Sequence, residues 1–379
     1  MKIKGLLNTN LPCLNFDDVL IEPRVTGVYP EEADISTTMI AGLKSNLPII
    51  SAHMSTVSSP ELIAAVAEMG GLGTLHEGIE LEDIDDQITK IKQLKIDAEK
   101  YPKAITTKSG TPVIIAACSA FDLEKAEYLL AHDDVQYVIL NNVQPLHVQI
   151  IKNVRILSRK YPYKIILGNI ANKEGAEIYA SMPLAALKIG LGPGSICTTG
   201  IISGCGMSQL TSILEVYQVT KAKKMKIIAD GGIRNSGDIV KALAAGADGV
   251  MLGKLFAGCE EAPGKIVEVN DKKYKQYEGA RYNTVEIPEL TGLEKIDTFL
   301  TPDLKNKHRV EGISGLVPYT GPAHLLLYIL SRNIRVSFGF IGAKNIEELR
   351  AKTIFRYVSP NSFRDLKSNI ELKITEPFI

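Results

Sequence analysis

The 379-residue chain has no excess of charge: 43 lysines and arginines stand against 43 aspartates and glutamates. A surface that tracks nucleic-acid phosphates needs clustered positive charge, so this balance argues against a nucleic-acid partner. No apolar run approaches the roughly 20 residues that cross a bilayer. Met1 to Asn15 also lacks the apolar stretch and small-residue cleavage pattern of a signal peptide. These absences predict a cytoplasmic protein with no membrane partner. Cysteine is scarce too. Cys13, Cys118, Cys197, Cys205 and Cys259 are odd in number and far apart, which sets aside a disulfide framework and a paired-CxxC zinc site. The six histidines show neither HExxH nor a close pair, so no side-chain metal site is suggested. With 45% hydrophobic and 23% charged residues, the rest is the composition of an ordinary globular protein.

Against that background eight short apolar runs stand out: residues 48–52, 71–76, 112–119, 137–141, 164–169, 186–190, 226–232 and 249–253. Each is apolar almost without interruption, as strands buried on both faces are. Between them lie segments with helical spacing, among them residues 60–69, 81–94, 122–131, 173–182 and 236–247. Most runs start one βα unit apart. Eight such units predict an α/β fold, a (β/α)8 TIM barrel closed on itself, with a doubly wound open sheet as the alternative. No linker cuts off a second domain, so residues 1–379 read as one catalytic domain without a regulatory subdomain. A charged, turn-rich insertion or flap follows the eighth run, at about 265–320, and the apolar stretch 324–334 is predicted to pack on the barrel exterior. The Lys-rich segment 96–110 reads as an exposed loop.

In such barrels the loops leaving the C-terminal ends of the strands build the active site. After the sixth run comes GLGPGSICTTGIISGCG, in which Gly190, Gly192 and Gly194 permit unusual backbone angles and close approach to a ligand. Cys197 sits on that turn; its spacing alone fits either a nucleophile or a buried structural thiol. After the seventh run, ADGGIRNSGD offers the amides of Gly231 and Gly232 to an anion such as phosphate, and Asp230 to a ribose diol. Gly253 and Lys254 repeat the pattern after the eighth. A GG pair alone is as often a turn, but adjacent phosphate loops after strands seven and eight recur in barrels.

These residues also carry a resemblance. LNFDDVLIEPR (14–24), GLGPGSICTT (190–199), IADGGIRNSGDIVKALAAGADGVMLG (228–253), FAGCEEAPG (256–264), EGISGLVPYTGP (311–322) and GFIGAKNIEELR (339–350) closely resemble the inosine monophosphate (IMP) dehydrogenase and guanosine monophosphate (GMP) reductase family. The resemblance implies a βα barrel, usually a homotetramer, that binds a purine nucleoside monophosphate. It also implies NAD or NADP as hydride partner and a potassium ion. By motif, Cys197 resembles the nucleophile that attacks purine C2, and Thr199 and Glu261 the family's proton-handling network. Asp230 resembles the ribose ligand and Ser195, Gly232, Gly253 and Tyr277 the phosphate contacts, with Gly231, Lys254 and Gly279 as further substrate-binding candidates beside them. Glu311 occupies the flap position that approaches the base. The resemblance implies that Asn169 and Gly190 fall in segments lining the nicotinamide side, with Asn141 at the cofactor-side position after the fourth run. Carbonyls of Gly192, Gly194 and Cys197 resemble the potassium-binding loop.

Within the family, the segment 101–119 and the long span from Tyr277 to Glu311 resemble the dehydrogenase, which converts IMP with NAD and water to xanthosine monophosphate (XMP). The missing regulatory modules are a trait of typical reductases, which make IMP from GMP with NADPH, and of some dehydrogenases. The alternatives are therefore a reductase, or a nucleotide-binding paralogue without turnover. Several ligand positions depart from the family pattern. Met54, Ser55, Thr56 and Val57 replace Met-Asp-Thr-Val, and Asn141, with Asn142 to Pro145, replaces the cofactor-side Asp and its small neighbours. Lys254 replaces a phosphate-site Ser, Ala280 and Arg281 a Met-Gly, and Gly200 an Arg. The flap's water-activating Arg-Tyr pair is matched only by Arg281 and Tyr282, far from its usual place before Glu311.

Overall fold

The computed structural model describes residues 13–279, 314–359 and 362. Seven strands form one parallel sheet in the order Ile49–Ser51, Gly249–Leu252, Ile227–Asp230, Ala186–Ile189, Ile165–Ile170, Tyr137–Asn141, Ile115–Ser119. The two edges meet through the run at 71–76. Leu72 bridges Ile50 and Leu75 bridges Ala116, both parallel, and backbone bonds such as Leu72 N–H to Ile49 O (3.0 Å) close the ring. The eighth barrel element is thus a seam of two bridges instead of a full strand. Its glycines explain this: a Cβ at Gly73 would lie 2.5 Å from the Cα of Ile63, so the run is pressed against the helix Pro60–Glu68 and has little freedom to form a ladder.

Strand parity divides the core. Ile50, Ile115, Ile139, Ile166, Ile228 and Met251 fill the barrel interior, while their neighbours Ile49, Leu140, Leu167, Leu187, Ala229 and Val250 pack outward against helices. The helices begin where short polar caps occur. Ser59, Asp122, Asn172 and Asn235 each accept an amide hydrogen bond from the first turn of the helices Pro60–Glu68, Leu123–Ala131, Lys173–Tyr179 and Ser236–Ala245. The apolar stretch at 324–334 lies in the helix Ala323–Ile341, which packs on the outside against Ser236–Ala245 and Pro60–Glu68. Among the described residues no single helix is long and apolar enough to cross a membrane.

A hairpin formed by Thr37–Ile40 and Leu43–Ser45 stoppers the barrel at the N-terminal ends of its strands. Met39 and Ile40 enter the interior cluster, and the Ala41 amide donates to Ala185 O at 2.9 Å. The loops that follow the strands gather at the opposite end. At that end the insertion after the eighth strand is more ordered than its sequence suggests. Ile266–Val269, Lys272–Glu278 and Ser314–Pro318 form an antiparallel sheet with a tight turn at Asn270 and Asp271. Lys275 anchors it, donating to the carbonyls of Cys259 (2.8 Å), Glu260 (3.1 Å) and Ala262. Its neighbour two residues on, Tyr277, is delivered to the barrel mouth.

Candidate active site

The loops after the strands enclose a cavity of about 280 Å³ at the C-terminal face of the barrel. That volume lies near the lower bound for small-ligand sites. Its walls include Asn141, Asn169, Gly190, Gly192, Gly194, Ser195, Cys197, Thr199, Asp230, Gly231, Gly232, Gly253, Lys254, Tyr277 and Gly279. The structure therefore brings together, from five loops, nearly all the residues singled out in the sequence. Glu261 stands apart. It is not in the wall; its carboxylate accepts the Ala323 amide at 2.9 and 3.1 Å and so caps the helix Ala323–Ile341. Glu311, Ala280, Arg281 and Tyr282 lie outside the described residues.

Cys197 is half-buried, not a core thiol, in contrast to Cys118 and Cys259, whose thiols burial pushes up to about 12. Its Sγ lies 3.2 Å from Thr199 Oγ1, and its amide donates to Gly194 O at 3.0 Å, fixing the turn. Sequence context explains the loop's course. Gly190 adopts φ +140°, and a Cβ there would sit 2.1 Å from Asp230 O, so the sixth and seventh loops touch only because residue 190 has no side chain. Gln209 secures that contact, its Nε2 donating to Ile189 O (2.9 Å) and Asp230 O (3.1 Å).

Where the sixth, seventh and eighth loops meet, the amides of Ser195, Gly232 and Lys254 donate to no acceptor among the described residues, which leaves three N–H groups able to meet an anion. Tyr277 closes this end. Burial pushes its hydroxyl up to about 12, so it stays neutral, and its O–H donates to Met54 Sδ at 3.7 Å. Arg234 ties the same loop to the chain's start. It pairs with Asp17 (2.7 Å) and Asp238 (3.1 Å), joining the LNFDD and IRNSGD motifs.

The floor carries residues the sequence reading missed. Lys188 is 1% exposed, and its Nζ meets Asp230 Oδ2 at 2.6 Å, Asn141 Oδ1 at 3.3 Å and Asn169 Oδ1. Asn169 Nδ2 reaches the same Asp230 oxygen at 2.9 Å. Burial alone would raise the Asp230 carboxyl, but Lys188 and these hydrogen bonds outweigh it and hold the carboxyl below its ordinary value. Asp230 is therefore an anion with its Oδ2 fully engaged. Parity held the clue to Lys188: in the run ALKIG, Leu187 and Ile189 face the helices, so residue 188 has to face inward.

His53, 5% exposed, lies in the same floor. Burial, with Lys188 adding repulsion, lowers its pKa from 6.5 to about 4, so it is neutral in the fold. The unfolded chain binds that proton more readily, hence stability is complete above pH 6.5 and falls as pH drops from there towards about 4. Urea midpoints taken from about pH 7 to about pH 4.5 should show a loss of about 2 kcal/mol that a His53→Gln protein lacks. Equal pH slopes in the two proteins would contradict it.

Two implied groups bear on fit. Among the described residues, no cluster of three or more His, Cys, Asp or Glu side chains could hold a metal. The carbonyls of Gly192 and Cys197, however, receive no hydrogen bond among the described residues, while that of Gly194 accepts the Cys197 amide, so the loop has oxygens to offer a monovalent cation. For a dinucleotide, the cavity floor holds an orphan: His53 Nδ1 is buried without a partner among the described residues.

Comparison with known proteins agrees with this geometry. Residues 13–368 match the IMP dehydrogenase / GMP reductase domain. Among curated proteins, the inosine-5'-monophosphate dehydrogenase of Borreliella burgdorferi is 33% identical over 96% of this chain and 98% of its own length. That of Methanocaldococcus jannaschii is 32% identical, covering 91% and 92%. The Cryptosporidium parvum enzyme of the same name is 31% identical, covering 93% and 94%. With the domain spanning almost the whole chain and the motif residues gathered around one cavity, this protein belongs to the IMP dehydrogenase / GMP reductase family.

Proposed function

We infer that the chain is a purine nucleotide oxidoreductase of the dehydrogenase type, forming XMP from IMP, NAD and water. The observation that carries the reading is the half-buried Cys197 thiol, 3.2 Å from Thr199, in one cavity with the free loop amides and Asp230. In this reading the amides of Ser195, Gly232 and Lys254, with Gly231, Gly253, Gly279 and the Tyr277 hydroxyl, hold the phosphate end. Asp230 Oδ1 accepts the ribose diol, since Oδ2 is taken by Lys188 and Asn169. The Cys197 thiolate then adds to purine C2, making that carbon tetrahedral so that its hydrogen can leave with the electron pair. NAD, when bound, accepts that hydride. The resulting thioimidate takes up water and expels the thiolate, and Thr199 is the hydroxyl positioned to relay the proton. Glu261 acts at a distance in this scheme, by capping the helix Ala323–Ile341.

What favours the dehydrogenase direction is that the three relatives above, at high coverage of both chains, all carry that name. A cytoplasmic setting joins this reading from the sequence's lack of a bilayer-length apolar run. Potassium held by the Gly192, Gly194 and Cys197 carbonyls and a homotetramer belong to the same reading and rest on the family resemblance. So does a single catalytic domain. The connection from the helix Ile84–Gln93 to the strand Ile115–Ser119 is short and turn-rich, which supports the absence of an inserted module there. Purified protein given IMP and NAD should raise absorbance of reduced nicotinamide, and given GMP and NADPH should leave it unchanged. Loss of absorbance in the second assay alone would make it a reductase. Silence in both, with nucleotide-induced thermal stabilisation, would make it a binding paralogue.

A further inference from the structure

The cavity has two carboxylates. One, Asp230, is spoken for by Lys188 and by the nucleotide in the reading above. The other is Glu77, on the loop that follows the seam at 71–76, and nothing so far assigns it a task. In the ring, the seam and the strand Tyr137–Asn141 flank the strand Ile115–Ser119, so Glu77 and Asn141 come from loops either side of that strand, in one half of the barrel mouth. The free amides come from the loops after strands six, seven and eight on the other side. Glu77 therefore faces the part of the cavity that the nucleotide's phosphate end does not use.

Its placement is built, not incidental. Lys125, 9% exposed, donates to the carbonyls of Glu77 (2.7 Å) and Ile79, which clamps the loop backbone. Asn141 Nδ2 donates to Glu77 Oε2 at 2.8 Å, and Asn141 Oδ1 in turn accepts from Lys188 at 3.3 Å. The Asn141 amide is thus used at both ends, and it has no carboxylate of its own. Glu77 Oε1 has no hydrogen-bond partner among the described residues, although the carboxylate lines the cavity. A carboxylate held by one oxygen and open at the other is suited to a vicinal diol, whose hydroxyls donate to it. On the dinucleotide, that chemistry belongs to a ribose.

We propose that Glu77 is the carboxylate that receives a ribose diol of the nicotinamide dinucleotide, with Asn141 as its positioning residue. The proposal rests on the dehydrogenase reading and adds to it a specificity-determining side chain for the second ligand. In effect the acid expected at 141 stands two strands round the ring, and the amide left behind steers it.

The test measures NAD binding as well as turnover. Glu77→Gln, which keeps the shape and loses the charge, should weaken equilibrium NAD binding and raise KM for NAD about tenfold or more, with KM for IMP unchanged. The double variant Glu77→Gln/Asn141→Asp should regain most of that loss, since it returns a carboxylate to the same side. NAD whose nicotinamide ribose lacks its 2'-hydroxyl should bind wild type and Glu77→Gln almost equally. Unchanged NAD binding in Glu77→Gln, with wild type active, would overturn the proposal and leave the dehydrogenase reading standing. A lowered kcat with normal NAD binding would also overturn it, by making Glu77 a proton carrier. Wild type that neither binds NAD nor reduces it would remove both readings together. Should Glu77→Gln prove unstable, Glu77→Asp, expected to keep NAD binding within a fewfold, carries the comparison with the deoxy analogue.

Discussion

Cys197→Ala protein supplied with IMP and NAD should produce reduced nicotinamide at least about a thousandfold more slowly than wild type, because Cys197 is the one thiol among the described residues of the cavity wall and, in the dehydrogenase reading, the group that bonds to C2. Nucleotide binding should persist within a fewfold, since the loop amides, Asp230 and Tyr277 are untouched. Mass spectrometry of wild type quenched during turnover should show a purine adduct on the peptide containing residue 197, and the variant should show none. Turnover within tenfold of wild type would remove the covalent mechanism. A neighbouring Thr199→Val change tests the relay: it should slow release of XMP more than the first appearance of reduced nicotinamide, which a pre-steady-state burst would reveal.

The second large effect concerns stability. Lys188→Met leaves Asp230, whose side chain is 22% exposed at the cavity wall, with no cation beside it; an orphaned charge costs about 3–5 kcal/mol when fully buried and about 2–3 kcal/mol here, where solvent reaches it. The urea midpoint should fall accordingly, and NMR of the variant should find the Asp230 carboxyl raised above its wild-type position, as its main lowering partner is gone. Removing both charges in Lys188→Met/Asp230→Asn should recover much of the stability but not the IMP affinity. A loss below about 1 kcal/mol in the single variant would mean that water or a rearranged Asn169 already neutralises the site.

The barrel was legible because buried parallel strands are nearly pure apolar runs and their helices start at Ser, Asp and Asn caps. Cys197, Asp230 and the glycine pairs were legible because chemistry at the strand ends needs distinctive residues on short loops. Three features were hidden for physical reasons. The run at 71–76 has strand composition, yet close packing on Ile63 reduces it to two bridges. Residues 272–278, KKYKQYE, look solvated, but alternate members of the run, Lys275 and Tyr277, are buried, which only a sheet laid on the barrel mouth makes possible. Glu77 and His53 sit next to residues with no motif, and their meaning arises from partners far along the chain, Asn141 and Lys188. Glu261 shows the reverse: the resemblance assigned it to chemistry, and the structure gives it a helix to cap.

The hairpin plug has a kinetic corollary. With Met39 and Ile40 sealing one end, the barrel is a well with a single doorway. Two ligands that share it must queue, and whichever sits deeper has to enter first and depart last. Inhibition patterns of the two products would reveal the order of that queue, and hence which ligand lies nearer the floor.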